Sequence, residues 1–411
     1  MEAASARLYA SSGLSAVSHR LMKQLLVAKT SNPIDGASRA RNLVFSPICI
    51  HSALSLMVAG SRGSTLRELL RVFGARSREE LLGKSMDMVD GAFAGDPYPD
   101  GPEIDNLSHL WHDATRKMKP DCDLTAHMLW CFTSALDFRT MGEEARKFIN
   151  TQLAGRIGGS MLDAGSVDKE TRLLHTSYFF RGAWDMPFFT WSRTDYDFHR
   201  LDGSVVDAQF MHSHEDQFIA THDGFKVLKI PYTPHGQAPP PFARYSMCFF
   251  LPDDRDGLWS LADKVMSGGP GFLHERLLPE KRVKVGKFRV PMFKLFSSTS
   301  VKRVLQDLGV KALFTREADM LEMLEDDGSG EPCFVNDMVH KTEVEVNADS
   351  AQPSGSKVCL IDYAGSEPSS GGADFIIDHP FMFFVVEEDS GAIILAGRVT
   401  DPSMLKLTLD E

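Results

Sequence analysis

Serine, cysteine, histidine and the carboxylates are the side chains that could carry chemistry, so their spacing is read first. Ser354-Gly-Ser-Lys357 spells the Ser-x-x-Lys of β-lactamase-type enzymes. That chemistry needs the serine at the start of a helix. Here it lies in a Ser-, Gly- and Pro-rich stretch between Asn347 and Asp374, so it is read as loop composition. The chain has no Gly-x-Ser-x-Gly elbow, no phosphate loop and no His-Glu-x-x-His. Its 14 histidines are scattered. The six cysteines (Cys49, Cys122, Cys131, Cys248, Cys333 and Cys359) form no Cys-x-x-Cys pair and no zinc spacing, which makes buried free thiols the default. Cys359 is either a reactive thiol on an exposed loop or an unremarkable surface cysteine. Asp185, Asp253 and Asp254 sit beside turns and read as turn and cap residues. No enzyme activity, no cofactor and no metal are expected.

The elements around these residues follow from periodicity. His340 to Val346 alternates polar and apolar from Thr342 on, as a half-buried strand does. Phe375-Ile-Ile and Phe381 to Val386 are dense apolar runs. Glu388-Asp-Ser-Gly391 is a turn, and Ala392 to Ala396 returns, which predicts a buried hairpin. A loop as long as the one between Asn347 and Asp374 is uncommon unless it is functional or disordered. Upstream, 13–27 has apolar residues at helical spacing. Ser46-Pro47 opens a helix that is apolar nearly all round, hence buried, and stops at Gly60. Thr65-Leu-Arg-Glu68 reads as a capping box for the next helix, and 76–100 as a short helix and a polar loop. Val301, Val304, Leu305 and Leu308 make a short helix with a Gly309 stop. Lys281 to Val290 carries five basic residues on an alternating strand, either an anion-binding patch or a solvated face.

A formal net charge of -12 argues against a general nucleic-acid or anionic-membrane binder. No apolar run approaches the ~18 residues of a membrane span. The N-terminal stretch lacks the charged-then-apolar pattern of a signal peptide, so an intracellular, cytoplasmic protein is expected. No linker splits the chain.

Phe375-Ile-Ile-Asp-His-Pro-Phe-Met-Phe-Phe-Val385 resembles the C-terminal signature of the serpin family. Asn42-Leu-Val-Phe-Ser-Pro47, Tyr178 to Trp184, His222 to Tyr232, Arg255 to Leu261 and Val339-His-Lys341 agree in order and spacing, several in the wording of the plant branch. The resemblance covers roughly 14–402. It implies an α+β serpin fold of three β-sheets with about eight or nine helices, one domain over 1–411 and an exposed reactive-centre loop near 348–374; fold alone does not decide function. It also implies a monomer whose partner is a serine or cysteine protease. The acid-rich segment 77–90 predicts no heparin-type polyanion site. Met141 to Leu153 resembles the helix across the main sheet, about four residues short, or roughly one turn.

In such a protein the protease attacks the loop, forms an acyl-enzyme, and the cut loop inserts into the main sheet. By family spacing the hinge is Ala348, Asp349, Ser350, Ala351, Gln352, Pro353, Ser354, Gly355 and Ser356. The family's acid, glycine and hydroxyl residue are replaced by Ala348, Ser350 and Ala351. Pro353 is the serious departure, because proline cannot donate to a central ladder. The alternative is that Pro353 sits at a bulge or in another register. The scissile bond falls at Ala364–Gly365, suiting a small-pocket, elastase-like protease; a slip of one puts Tyr363 there, suiting a chymotrypsin-like one. Ser46, Cys49, Thr176 and His340 occupy the family's shutter positions. Cys49 and Thr176 stand where the family usually has Ser and Asn. Cys49 is equally read as a buried thiol on a core helix. The expectation is a non-inhibitory serpin or a poor inhibitor, the alternative a working suicide inhibitor.

Overall fold

The computed structural model describes residues 16–27, 41–93, 103–154, 173–181, 184–186, 188, 195–232, 244–269, 272–326, 328, 330, 332–348 and 372–403. Among them the strands form three sheets. The five-stranded sheet holds β2 (Glu103–Asp113), β3 (Cys131–Leu136), β4 (Leu173–Arg181), β12 (Phe293–Ser300) and β13 (Asp337–Val346), in the order β12-β13-β4-β2-β3. The seven-stranded sheet runs β1 (Leu43–Phe45), β16 (Ile393–Val399), β15 (Phe381–Glu387), β9 (Tyr245–Pro252), β8 (Phe225–Pro231), β7 (Gln217–His222) and β10 (Arg282–Val283). The four-stranded sheet runs β14 (Ala373–Ile376), β11 (Val285–Pro291), β6 (Val205–Met211) and β5 (Asp195–His199).

The dense apolar runs are buried on both faces. Every residue of β9 and β15 is buried, with Phe250, Met382 and Phe384 on one side and Phe249, Phe381 and Phe383 on the other. A strand covered on both sides has no polar face to show, so its sequence runs apolar instead of alternating. β15 and β16 form the expected hairpin, with a register shift between Val385 and Val386. Its turn is tied by the Glu387 carboxylate, which accepts from the Asp389 amide (3.0 Å) and the Ser390 amide (2.6 Å).

The first helix, α1, spans 16–27. The second, α2 (Pro47–Gly60), begins as its sequence predicts. Ser46 is the N-cap, its hydroxyl accepting from the Cys49 amide at 3.3 Å, and Pro47 takes the first turn. All of α2 except Ala59 is buried. It ends at Gly60, where an added Cβ would lie 2.6 Å from Cβ of Met323, so only glycine allows this approach. The short helix Lys302–Asp307 is followed by Gly309 at φ 101°, in the left-handed region that glycine tolerates.

Two helix starts differ from expectation. Helix α3 (Gly63–Phe73) has Arg62 at its N-cap with no side-chain bond, so Thr65 and Glu68 do not form a capping box. They are used in tertiary contacts. Thr65 Oγ1 accepts from the Asp319 amide (3.0 Å), and Glu68 Oε2 accepts from the Lys311 and Ala312 amides (2.8 Å each). The donors that Glu68 satisfies open the 3-10 turn Ala312–Phe314, over 240 residues away in the chain. The helix expected to be short, α4 (Arg78–Phe93), has 16 residues. Its own start carries the reciprocal cap: the Glu80 amide donates to Ser77 Oγ (3.2 Å) and the Arg76 amide donates to Glu80 Oε2 (3.3 Å).

The strand β13 also departs from the half-buried reading. Lys341 and Glu343, expected on a solvated face, are 2 % and 8 % exposed. Helix α5 (Gly142–Ala154) packs Ala145 and Ile149 with Trp111, Phe138 and Val339 on this face, and the Lys341 ammonium lies over the Phe296 ring of β12, 5.4 Å from its centroid. Glu343 is neutralised by Lys294, 2.8 Å away. Helix α5 runs to Ala154, beyond the Asn150 at which the family pattern shortens.

Candidate functional site

The seam between β13 and β4 is the centre of the five-stranded sheet. These two strands pair directly and in parallel, from Asp337 opposite Leu173 to Val344 opposite Phe180. No strand lies between them. Their outer neighbours, β12 and β2, are antiparallel to them.

Three of the four shutter positions come together beneath the seam. The ring of His340 points inward, and its Nε2 accepts from the Ser46 amide at 2.8 Å. Because Nε2 accepts, the neutral ring carries its proton on Nδ1. Thr342 Oγ1 lies 2.7 Å from the same Nε2 and donates to it. Burial pushes the His340 pKa down to about 3, so the ring is neutral at physiological pH. Ser46 Oγ donates to Cys49 Sγ at 3.1 Å while accepting from the Cys49 amide. Burial pushes the Cys49 thiol up, with the Ser46 hydrogen bond opposing it weakly, so Cys49 is an inert thiol here. Thr176 lies directly opposite His340 in the ladder; of Thr176 the structure describes the backbone.

Thr342 belongs to this cluster and was not singled out from the sequence. Its signal was present: it is two residues from His340 on one strand, hence on the same face. Trp184 was quoted only as part of a motif. Its indole Nε1 donates to the Asn347 carbonyl at 2.9 Å, while the ring stacks on Tyr232 with centroids 4.6 Å apart. The backbone at the end of β13 is thereby held to the segment that carries Trp184. Asn347 Nδ2 donates to Glu345 Oε1 at 2.9 Å.

The loop's two ends are described, its middle is not. Ala348 is buried at 5 % exposure. Asp349, Ser350, Ala351, Gln352, Pro353, Ser354, Gly355, Ser356, Cys359, Tyr363, Ala364 and Gly365 lie outside the described residues. At the far end the expected boundary is corrected, because Ala373 and Asp374 already belong to β14. That strand runs parallel to β11, Ala373 opposite Val285 and Phe375 opposite Phe288. The Ala373 amide donates to the Lys284 carbonyl (2.8 Å), and Asp374 Oδ1 accepts from the Lys287 amide (2.7 Å).

Cys49, Cys122, Cys131 and Cys248 are buried free thiols and Cys333 is partly buried. Among the described residues no group of three or more His, Cys, Asp or Glu side chains is placed to hold a metal ion. No helix among them is long and apolar enough to cross a membrane.

The comparisons with known proteins agree with this geometry. The family model described as Serpin (serine protease inhibitor) matches residues 18–402. A putative serpin-Z6C of Oryza sativa subsp. japonica is 45 % identical over 415 residues, 97 % of this chain and 99 % of the relative. Serpin-Z2B of Triticum aestivum is 33 % identical, covering 93 % of this chain and 95 % of its own. Among solved structures, Arabidopsis AtSerpin1 in a native stressed conformation superposes with a TM-score of 0.80 at 30 % identity, over 97 % of this chain and 98 % of that one. Uncleaved ovalbumin shares the fold, with a TM-score of 0.76 at 20 % identity over 95 % of this chain and 99 % of that one. With its parallel seam, the buried His340 cluster beneath it and a signature that continues into β15, this chain belongs to the serpin family and to its plant type.

Proposed function

We propose that this serpin offers its loop to proteases as a substrate and traps them poorly or not at all, acting without a catalytic site of its own. The observation that carries the reading is Pro353, which by its count from His340 must enter the seam between β13 and β4 if the loop inserts. To insert, the cut loop must part β13 from β4 and run antiparallel to both. Pro353 stands five positions after Ala348, where 353 − 348 = 5. Five extended residues cover about 16 Å, whereas the ten of β13 cover roughly 33 Å. Pro353 therefore falls inside the new ladder and not at its edge. It has no N–H to give, so a buried carbonyl on a neighbouring strand goes unpaired at a cost of about 1–3 kcal/mol. Each ~1.4 kcal/mol on the insertion barrier slows it about tenfold. Insertion slowed roughly 10- to 100-fold loses the race with deacylation, and the protease leaves with the loop cut at Ala364–Gly365.

A second reading, a working suicide inhibitor cut at the same bond, is favoured by the seam itself. Converting one parallel pair into two antiparallel pairs is the favourable direction for a sheet. The relative with a native stressed structure supports it too.

The experiment is limited cleavage with an elastase-like protease, read by an SDS gel and by thermal unfolding before and after. The expected result is clean cleavage of the wild type with no SDS-stable complex. Pro353→Ala is expected to raise the complexed fraction about tenfold or more. An SDS-stable complex with the wild type at near-equal stoichiometry, with a large rise in Tm on cleavage, would establish the second reading instead.

A further inference from the structure

Beside the far end of the loop lies a strip of positive charge. Lys281, Arg282, Lys284 and Lys287 are exposed along β10 and β11. Arg289 follows, its guanidinium 3.9 Å from the centroid of the Tyr196 ring. Five cations in nine residues stand out on a chain of net charge -12. Arg282 is paired with Asp185 at 3.3 Å. Among the described residues no ion pair joins Lys281, Lys284 or Lys287 to a carboxylate. The nearby Asp374 accepts from the Lys287 backbone amide through Oδ1.

The same strand pairs with β14, the strand that follows the loop in sequence. Its Lys284 carbonyl and Lys287 amide are the groups that bind Ala373 and Asp374, and Lys226 Nζ donates to the Asp374 carbonyl at 3.1 Å. Gly365 precedes Ala373 by eight residues, where 373 − 365 = 8. Eight extended residues span at most about 28 Å. A protease of about 200 residues is roughly 40 Å across. With the loop in its active site, its lower face lies within reach of the strip.

We propose that the Lys281–Lys287 strip is a docking surface for a protease with an acidic face, engaged together with the loop. This rests on the reading of the loop as protease bait. Unpaired, exposed lysines act at a distance, raising the rate of encounter more than the strength of the final contact. A long polyanion fits less well, because beyond this short strip it would meet a strongly negative molecule. A globular partner with one acidic face meets only the strip.

The test uses a broad-specificity subtilisin-type protease, which cuts exposed loops whatever their register, in native form and after succinylation of its surface lysines. The second-order rate of loop consumption, cleaved plus complexed, is measured for the full chain. It is divided by the rate for a synthetic peptide of residues 357–372, which lacks the strip. In about 50 mM salt succinylation should raise this ratio roughly tenfold, and the gain should vanish near 0.5 M as screening shortens. The gain should fall below about twofold in Lys281→Glu/Lys284→Glu/Lys287→Glu and be reduced in the milder triple Gln variant. The wild-type salt series reads the effect without any variant. An unchanged ratio on succinylation, or a gain that survives in both triple variants, overturns the proposal. So does heparin binding to the wild type alone with no effect on the protease ratio. Fragment mass and complex formation are read from the same gels, so a cut elsewhere or a stable complex refutes the substrate reading separately.

Discussion

At the scale of single residues, His340 and His51 are the most deeply buried of the described histidines, and their burial makes the fold sensitive to acid. His340 lies in the cluster under the seam, and burial holds its pKa near 3. His51, on α2, is equally buried at about 3, with Nε2 3.0 Å from Ser85 Oγ and its Nδ1 without a hydrogen-bond partner. Both are neutral when folded and take up a proton near 6.5 when unfolded, so the unfolded state binds more protons below that pH. Their contribution is complete above 6.5 and is lost as pH falls from there toward 3. One unit below 6.5 each removes about 1.4 kcal/mol, and two together about 2.8 kcal/mol. Urea titrations should show the fold losing at least that much between pH 7.5 and 5.5, since burial also pushes His109 and His212 down to about 4, and His51→Leu should shrink the difference by about 1.4 kcal/mol. An equal pH dependence in His51→Leu would mean that this ring is hydrated or charged in the fold. Thr342→Val tests the other partner of His340. It keeps the shape, removes one hydrogen bond, and should cost about 1 kcal/mol in denaturant unfolding.

At the scale of elements, β13 is held at both ends of its upper half. Lys294 bridges to Glu343, and Trp184 anchors Asn347. Trp184→Phe retains an aromatic ring against Tyr232 but removes the donor. Losing about 1 kcal/mol of local protection corresponds to roughly fivefold faster exchange of the amides at the end of β13. The amides of β15 and β16, deep in the other sheet, should be unaffected. A matching rise there would show that the indole supports the whole fold and not this end of the strand. The same scale shows where sequence patterns mislead. Thr65-Leu-Arg-Glu68 has the letters of a capping box, yet Glu68 caps a turn contributed by a distant segment. A carboxylate satisfies whichever free amides the fold brings near, and the local helix start is only one candidate.

At the scale of the whole molecule, the fold was largely legible in the chain and the site only partly. Ser46-Pro47, the Gly309 stop and the β15–β16 hairpin depend on interactions within a few residues, and each is legible in its own neighbourhood, whereas Gly60 is also required by the approach of Met323. The order of motifs from Asn42 to Val385 determined the family, because such spacing records the whole architecture at once. The expectation that Pro353 falls in the hinge likewise comes from the sequence alone, by counting from His340. Tertiary structure alone decided that Lys341 and Glu343 are covered, that Thr342 joins Ser46 on the His340 ring, and that β13 and β4 are directly paired. It alone put the backbone of Lys284 and Lys287 against β14. The physical reason is the range of the forces involved. Caps, turns and periodicity act along the chain, whereas burial of a second face, a shared acceptor and a strand register depend on what another element brings from far away.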